Sequence, residues 1–276
     1  MAPIPPLFTI PVTGSKGSVV ATQPSARIYL ITFNSPPDNR LTPSFLSSFM
    51  LALDILEYRF PTGVVVTTSA IPKFYSNGLD FENALKTKGF FERMLYPLWR
   101  RLLTYPMPTI ALINGHAFAG GFMTAMMHDY RFMNPHHGFL CLNELDFGAP
   151  LQPPMASIFR QKLPNPNTYR TMILESKRFA ALEALKEGIV DGLGALDELL
   201  TFVEETKLVK KGHSGIYGIL KEEMWGETIR YLDLKEGGAR ARKEKDDERK
   251  TLEREQRRRV DEWEKENAGK RFGPKL

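Results

Sequence analysis

The chain has a single cysteine, Cys141, among its 276 residues. A lone cysteine excludes a disulfide framework and suits a reducing compartment. Long apolar runs are also missing: the most apolar stretch, 108–127, is interrupted by Asn114 and a glycine pair, which argues against a membrane span. The first 17 residues lack the basic start and apolar run of a secretory signal. These absences favour a soluble intracellular protein.

Excess charge is scarce in the body of the chain and concentrated at its end. The net charge is +5, and residues 235–276 carry +4 of it, with 15 basic and 11 acidic side chains. Both signs are interspersed there, and only Trp263 and Phe272 are aromatic, which is typical of a solvated helix with i,i+4 ion pairs. Such a tail lacks the basic and aromatic pattern of a nucleic-acid-binding surface, so we expect no nucleic-acid partner.

Apolar patterns and turn residues predict an α/β layered core. A β-meander is expected at 7–12, 18–22 and 27–33. Thr42 as N-cap and Pro43 at the first helical position open a helix over 44–58. Further helices are expected over most of 81–105 and at 153–163, 169–174, 181–187 and 196–210.

The segment 106–131 combines a buried strand, a turn and a helix. The apolar run 109–113 ends at Asn114, and a small-residue passage then leads into a helical pattern from Phe122. Gly120 and Gly121 therefore stand where a loop enters a helix, a place that presents unpaired backbone N–H groups to a ligand. Such a construction suits the stabilisation of an oxyanion. A tightly packed turn without function would have the same pattern.

Two other segments add to this picture. The β-branched strand 64–69 is followed by Gly78 in a turn and by Asp80, which is placed to cap a second helix. Two strand-turn-helix units could thus direct two N–H groups at one point. In 139–148, Asn143 and Glu144 lie among apolar residues, where a carboxyl group is a candidate for a raised pKa. By itself, Glu144 could equally be an exposed residue at a strand end.

The order of these segments resembles the crotonase (enoyl-CoA hydratase/isomerase) superfamily. Residues 75–80 are similar to its F-x-x-G-x-D element, with Tyr75 in place of Phe, and 114–121 to its N-G-x-x-x-x-G-G element. Residues 179–191 resemble its F-x-A-x-E-A-x-x-x-G-x-V-D segment. The passages HAFAGGFMTAMMHDYRFM and LNELDFG look most like the plant and fungal Δ3,Δ2-enoyl-CoA isomerases. The resemblance implies an α/β crotonase-like ββα superhelix with a C-terminal helical region.

The resemblance also implies a reaction. The thioester carbonyl of a fatty acyl-CoA would be held by the backbone N–H groups of Leu79 and Gly120. Hydratases of the superfamily use two glutamates, and the positions are Met123 and Glu144 here. Because a thioether is neither acid nor base, the expected reaction is isomerisation of 3-enoyl-CoA to trans-2-enoyl-CoA in fatty acid β-oxidation, with Glu144 moving the proton. No metal or redox cofactor is implied, and CoA arrives as part of the substrate.

Further site residues follow from the same matches. Asn143 is expected to orient the Glu144 carboxyl group, and three side chains are expected to line the acyl pocket: Phe122, Met123 and Phe147. Ser76, Gly78, Asp80 and Gly121 are expected at the substrate because they belong to the two glycine motifs. Two other readings stay open: a different single-base crotonase reaction, such as dienoyl-CoA isomerase, hydratase-like or lyase chemistry, and a non-catalytic acyl-CoA-binding protein.

Organisation, assembly and location are expectations of the same kind. Residues 1–195 are expected to form the crotonase-like core, 196–234 a helical trimerisation or lid region, and 235–276 a charged helical tail. The superfamily implies a homotrimer or hexamer. The end Pro274-Lys275-Leu276 is similar to the S-K-L peroxisomal address, so we expect the peroxisomal import receptor as a partner and the peroxisome as location, with the cytoplasm as alternative.

Several other motifs give weaker evidence of function. Residues 212–215 approach a nucleophile elbow, but the G-x-S-x-G spacing fails at Ile216. The pairs 128–129 and 136–137 have no convincing third metal ligand, and 14–18 lack phosphate-loop spacing. We interpret all of them as structural and expect no metal site.

Overall fold

The computed structural model describes residues 4–233 and 237–266. They divide after Asp233 into two compact units. The first unit contains both the predicted core and residues 196–233 of the predicted helical region. In the second, helix Gly237–Glu266 is long and highly charged, and Arg258 pairs with Glu262 one turn on at 3.6 Å. No helix within the described ranges is long and apolar enough to cross a membrane.

A seven-stranded sheet forms the centre of the first unit. Its first three strands form an antiparallel meander, as predicted: β1 (Pro6–Pro11), β2 (Ser18–Ser25) and β3 (Ile28–Asn34). Four parallel strands continue it in the order β3-β4-β6-β8-β10: β4 (Val64–Ser69), β6 (Thr109–Ile113), β8 (Tyr130–Met133) and β10 (Gly192–Leu193). The predicted strands β4 and β6 are buried along their whole length, as parallel strands covered on both faces are.

Successive residues of these strands point to opposite faces of the sheet. On one face, Val64 and Val66 pack with Leu199 and Val203 of a C-terminal helix. On the other, Val65 belongs to the larger core, which includes aromatic side chains of the first helix. The sheet is therefore covered on both sides, and the layered α/β prediction is confirmed.

A second, smaller sheet holds three short parallel strands in the order β5-β7-β9: β5 (Phe74–Ser76), β7 (His116–Phe118) and β9 (Leu140–Cys141). Each follows a strand of the large sheet and precedes a helix, so β4-β5, β6-β7 and β8-β9 begin three ββα turns. The expected repetition of ββα units is thus present. The short strands were not predicted, because two or three residues are too few to give a pattern.

The helices of the first unit agree with most predictions. Thr42 accepts a hydrogen bond from the Phe45 N–H and caps α1 as expected. The bounds are α1 (Pro43–Arg59), α2 (Phe81–Lys86), a π-helical turn (Phe91–Leu95) continuing into α3 (Tyr96–Leu103), α4 (Gly120–Met126), α5 (Pro153–Lys162), α6 (Pro166–Leu174), α7 (Ala181–Lys186), α8 (Leu196–Glu205), α9 (Leu208–Gly212), α10 (Tyr217–Met224) and α11 (Gly226–Asp233).

Two helix predictions need correction. The single helix expected over 196–210 is broken at Lys207, whose φ of 57° is left-handed and separates α8 from α9. The helical stretch expected over most of 81–105 is interrupted at Gly89, with φ of 72°. A lysine at a break gives no sequence signal, whereas the glycine could have been read as one.

Candidate active site

The two glycine turns predicted to cooperate lie against each other. Gly78 has φ of 80°, and a Cβ atom built on it would lie 2.9 Å from the Phe118 carbonyl oxygen and 3.1 Å from the Gly120 nitrogen. A Cβ built on Gly120 would in turn lie 3.1 Å from Cγ of Leu79. Gly78 therefore requires glycine, because its φ is left-handed and a side chain would meet backbone atoms of the second turn, whereas a side chain at Gly120 would press on the side chain of Leu79.

The two N–H groups expected to bind a carbonyl are available. Among the hydrogen bonds of the described residues, the N–H groups of Leu79 and Gly120 have no acceptor, whereas the Gly78 N–H donates to Ser76 Oγ at 3.2 Å. Ala119, just before α4, has φ of 48°, a strained conformation for a residue with a side chain. Unpaired donors at a glycine-rich approach are what an oxyanion site needs.

Asn39 supports the Gly78 turn through buried hydrogen bonds. It is fully buried, with φ of 52°, and its Nδ2 donates to Ser69 Oγ at 2.7 Å and to the Tyr75 carbonyl at 3.1 Å. Its own carbonyl accepts a 2.8 Å hydrogen bond from Ser76 Oγ. The N–H of Leu41 adds a 2.8 Å hydrogen bond to the Gly78 carbonyl. This role of Asn39 was not predicted, although the turn-rich run 36–39 is a sequence signal for it.

Glu144 lies at the same edge of the small sheet. The strands are parallel, so their carboxyl ends share one edge, and the loops after Ser76, Phe118 and Cys141 begin there. The Ala119 N–H donates to the Cys141 carbonyl at 2.9 Å, which joins the second glycine turn to the strand that leads to Glu144. Within the loop, the Ala149 N–H donates to the Glu144 carbonyl at 2.9 Å.

The Glu144 carboxyl group sits in surroundings that disfavour its charge. Burial raises its pKa from 4.5 to about 7, and a hydrogen bond from its own backbone N–H offsets this only partly. Within the described chain its Oε2 is buried without a hydrogen-bond partner. A buried oxygen of this kind is costly and marks a place where a ligand or water can bind. The carboxyl group would exchange a proton near neutral pH.

A cavity of about 180 Å³ adjoins this carboxyl group. Apart from Glu144 its lining is apolar: Leu142, Leu145, Ala149, Leu151, Ile173 and Leu174. Ile173 and Leu174 come from the end of α6, so this wall is brought to the loop by the fold. None of these six residues was predicted to be at the site. Leu142 and Leu145 could have been chosen, because they flank Glu144 in an apolar segment.

The predicted acyl-pocket residues fall into two groups. Phe122 and Met123 are 0 and 1% exposed and lie in the core instead of lining this cavity; the ring of Phe122 packs against Phe159 at 5.1 Å between centroids. Their expected role in the acyl pocket stays a prediction. Phe147 is exposed on the Glu144 loop and meets the ring of Phe81 at 5.9 Å.

The remaining predicted residues lie around the turns. Ser76 is buried, and a Cβ built on Gly121 would come within 2.4 Å of its carbonyl oxygen. Asp80 precedes α2, and its Oδ2 accepts a hydrogen bond from Asn83 in place of capping the helix. Asn143 Oδ1 and Glu144 Oε2 are both buried without a hydrogen-bond partner in the described residues, and no hydrogen bond joins the two side chains there.

The other histidines and acids do not form a competing centre. His128 is buried, its Nε2 lies 2.9 Å from Thr67 Oγ1, and burial lowers the pKa of its imidazole to about 3. In the described ranges no three His, Cys, Asp or Glu side chains are grouped to hold a metal ion. The imidazole of His213 contacts the guanidinium group of Arg27, which is 186 residues away in sequence.

Comparison with known proteins identifies the family of the chain. The family model for enoyl-CoA hydratase/isomerase matches residues 23–258. The chain belongs to this family. Membership and the crotonase fold support an isomerase- or hydratase-type activity on enoyl-CoA for the chain as a whole.

Among the relatives, enoyl-CoA delta isomerase 3 of Arabidopsis thaliana is 29% identical over 219 residues, covering 75% of this chain and 92% of its own. The peroxisomal enoyl-CoA delta isomerase 1 of the same plant is 30% identical over 212 residues, covering 74% and 88%. The crystal structure of human mitochondrial delta3-delta2-enoyl-CoA isomerase superposes with a TM-score of 0.64 at 22% identity, covering 88% of this chain and 98% of its own. That structure supports the fold.

We predict that Asn39→Ala destabilises the protein by about 2–4 kcal/mol. Several buried hydrogen bonds of about 1 kcal/mol each are lost, and alanine is disfavoured in the left-handed backbone conformation of this position. Urea unfolding measures the change. Asn39→Gly, which tolerates the same φ, serves as the matched control and should lose less. Equal losses in the two variants would mean that backbone conformation contributes nothing.

The raised pKa of Glu144 gives a second prediction, on stability. The unfolded carboxyl group ionises near 4.5 and the folded one near 7, so wild-type stability falls as pH rises through this interval. Glu144→Gln removes the penalty, and at about 1.4 kcal/mol per pKa unit we expect it to be about 3–4 kcal/mol more stable than wild type at pH 8 and nearly equal at pH 4. Unfolding curves at both pH values measure this; a constant difference would contradict the raised pKa.

Proposed function

We propose that the protein is a Δ3,Δ2-enoyl-CoA isomerase that converts 3-enoyl-CoA to trans-2-enoyl-CoA. The observation that carries the proposal is the single carboxyl group of Glu144, with one unpaired oxygen and a pKa of about 7, beside an apolar cavity. A base that removes and returns a proton works best when its pKa lies near the working pH. Membership of the enoyl-CoA hydratase/isomerase family supports the same substrate class.

The N–H groups of Leu79 and Gly120 supply the oxyanion hole of this proposal. Two donors facing the thioester oxygen lower the energy of the enolate, because the negative charge that develops on proton removal meets dipoles already in place. The Gly78 carbonyl is held by Leu41 and the Gly78 N–H by Ser76, which orients the peptide that carries the Leu79 N–H. Donors of this kind contribute about 10²–10³ each to the rate.

Glu144 then performs both proton transfers. Its carboxylate takes a proton from C2, and the electron pair of that bond spreads over a dienolate that ends on the thioester oxygen. The same proton then returns to C4: the π electrons of the C3–C4 double bond form the new C4–H bond, the electron pair left on C2 becomes the C2–C3 double bond, and the thioester carbonyl is restored. The sum is an isomerisation without gain or loss of atoms, so no redox cofactor or metal is needed and CoA serves only as part of the substrate.

The residue at position 123 argues against hydration. The family's hydratases place a second glutamate there to help split water, but Met123 is 1% exposed and packed in the core. A thioether cannot take or give a proton at neutral pH. With one carboxyl group at the site, proton transfer within the substrate is the reaction that the residues support best.

The expected test follows conjugation of trans-3-hexenoyl-CoA by absorbance of the enoyl thioester. We expect Glu144→Gln to lower kcat by about 10²–10⁴, since the amide cannot accept the proton. In wild type, kcat/KM should rise about tenfold per pH unit below pH 7 and level above it, because only the carboxylate is active. Asp146→Asn is the matched control, because Asp146 is an exposed carboxylate two residues from Glu144. This variant should keep the wild-type kcat and the wild-type pH profile.

The outcomes separate the alternatives. Hydration of added trans-2-hexenoyl-CoA at a rate comparable with isomerisation would contradict the single-base proposal. Absence of turnover in wild type, with hexanoyl-CoA still bound, would favour a non-catalytic acyl-CoA-binding protein. Product from a dienoyl-CoA but none from the monoenoyl ester would favour dienoyl-CoA isomerisation.

We further propose a peroxisomal enzyme that assembles as a trimer or hexamer. The support for location is the peroxisomal relative named above; the human relative is mitochondrial, and the segment Pro274-Lys275-Leu276 lies outside the described residues. Deletion of Lys275 and Leu276 from a fluorescently tagged protein should move it from peroxisomes to the cytoplasm. An unchanged distribution would contradict the assignment.

A further inference from the structure

The cavity beside Glu144 is too small for a long acyl chain. An apolar cavity of about 150 Å³ takes up one benzene molecule, so the 180 Å³ found here has room for about six carbon atoms. Leu142, 1% exposed, lies at its inner side, whereas Leu145 and Leu174 are 57 and 63% exposed where it meets the surface. A longer chain must therefore leave the cavity past these two leucines.

An apolar strip is formed by exposed side chains of the same loop and of α2. Phe147 follows Leu145 on the same loop, and its ring meets Phe81 of α2 at 5.9 Å. Leu85 lies four residues after Phe81, on the same side of the helix. These three side chains are between 38 and 59% exposed. Exposed apolar groups that adjoin one another in this way commonly mark a ligand groove or an interface.

We propose that this strip, formed by Leu145, Phe147, Phe81 and Leu85, binds the distal half of the acyl chain and makes the protein selective for chains longer than six carbons. The inference rests on the proposed function for the identity of the ligand. Its occupant is the substrate itself, because Leu145 lines the cavity beside Glu144 and Phe147 follows two residues later on the same loop. The α2 end of the strip also follows directly from the Gly78 turn, so a chain anchored by its thioester remains within reach.

The strip makes a quantitative prediction about substrate choice. Each methylene moved fully from water onto an apolar surface strengthens binding by about fourfold, and a half-covered one by less. Over the six carbons that distinguish trans-3-dodecenoyl-CoA from trans-3-hexenoyl-CoA, we expect kcat/KM to rise at least tenfold. Leu85→Gln should reduce the ratio of the two kcat/KM values by about fivefold or more. Gln keeps helix propensity while placing an amide in the strip.

Leu182→Gln is the matched control. Leu182 is an exposed leucine on another short helix, α7, and lies on neither the cavity nor the strip. Its substitution should leave the ratio at the wild-type value. A wild-type ratio of one or below, or the same ratio in Leu85→Gln and Leu182→Gln, would overturn the inference.

A binding measurement separates failure of this inference from failure of the proposed function. Dissociation constants of the saturated esters hexanoyl-CoA and dodecanoyl-CoA are measured for the same three proteins by calorimetry, below the micellar concentration. If neither enoyl ester is isomerised but dodecanoyl-CoA binds at least tenfold tighter, and Leu85→Gln reduces that preference, the strip is supported and the isomerase proposal falls. Equal affinity for the two saturated esters overturns the strip whatever the activity.

Discussion

The pairing of three very short parallel strands is the constraint on which the candidate site depends. Strands β5, β7 and β9 have only two or three residues each, yet their carboxyl ends carry the Gly78 turn, the Gly120 turn and the Glu144 loop. Parallel pairing brings these ends to one edge. Strands this short contribute few ladder hydrogen bonds, so the positions of the loops also need side-chain support, and Asn39 supplies it by linking β4, β5 and the first turn.

The second physical constraint is the partial burial of the Glu144 carboxyl group. The cost of burying Glu144 is visible in its raised pKa and in an oxygen without a partner. A stable fold would ordinarily avoid this arrangement or pair the group with a cation. Its persistence beside an apolar cavity is what a general base for carbon acids requires, and a second carboxyl group nearby would couple to it and change its titration.

Much of the fold could be predicted from the sequence where the signal is local. The buried strands β4 and β6 are continuous apolar or β-branched runs, and α1 has a capping threonine before a proline. The two glycine turns were recognisable because a backbone approach of this closeness tolerates no side chain. The break at Lys207 carries no local signal, and that helix prediction was wrong.

The candidate site was less predictable because its walls come from distant segments. Ile173 and Leu174 reach the cavity only through the packing of α6 against the core, which no spacing near Glu144 indicates. Phe122 and Met123 were expected in the pocket because they follow the glycine pair. However, every residue of α4 is buried, so neighbours of the glycines face core on all sides. Being close to a motif in sequence did not place a side chain in the cavity.

The most direct test of the central claim, that one carboxyl group carries the proton, follows a label from C2 to C4. Wild-type protein is given trans-3-hexenoyl-CoA deuterated at C2, in ordinary water, and the product is analysed by NMR after a few turnovers. Because Glu144 Oε2 is buried and accepts no hydrogen bond from the described residues, we predict that exchange with water is slow enough to leave deuterium at C4 in a substantial fraction of the product. Product formed at the normal rate with only protium at C4 would contradict it.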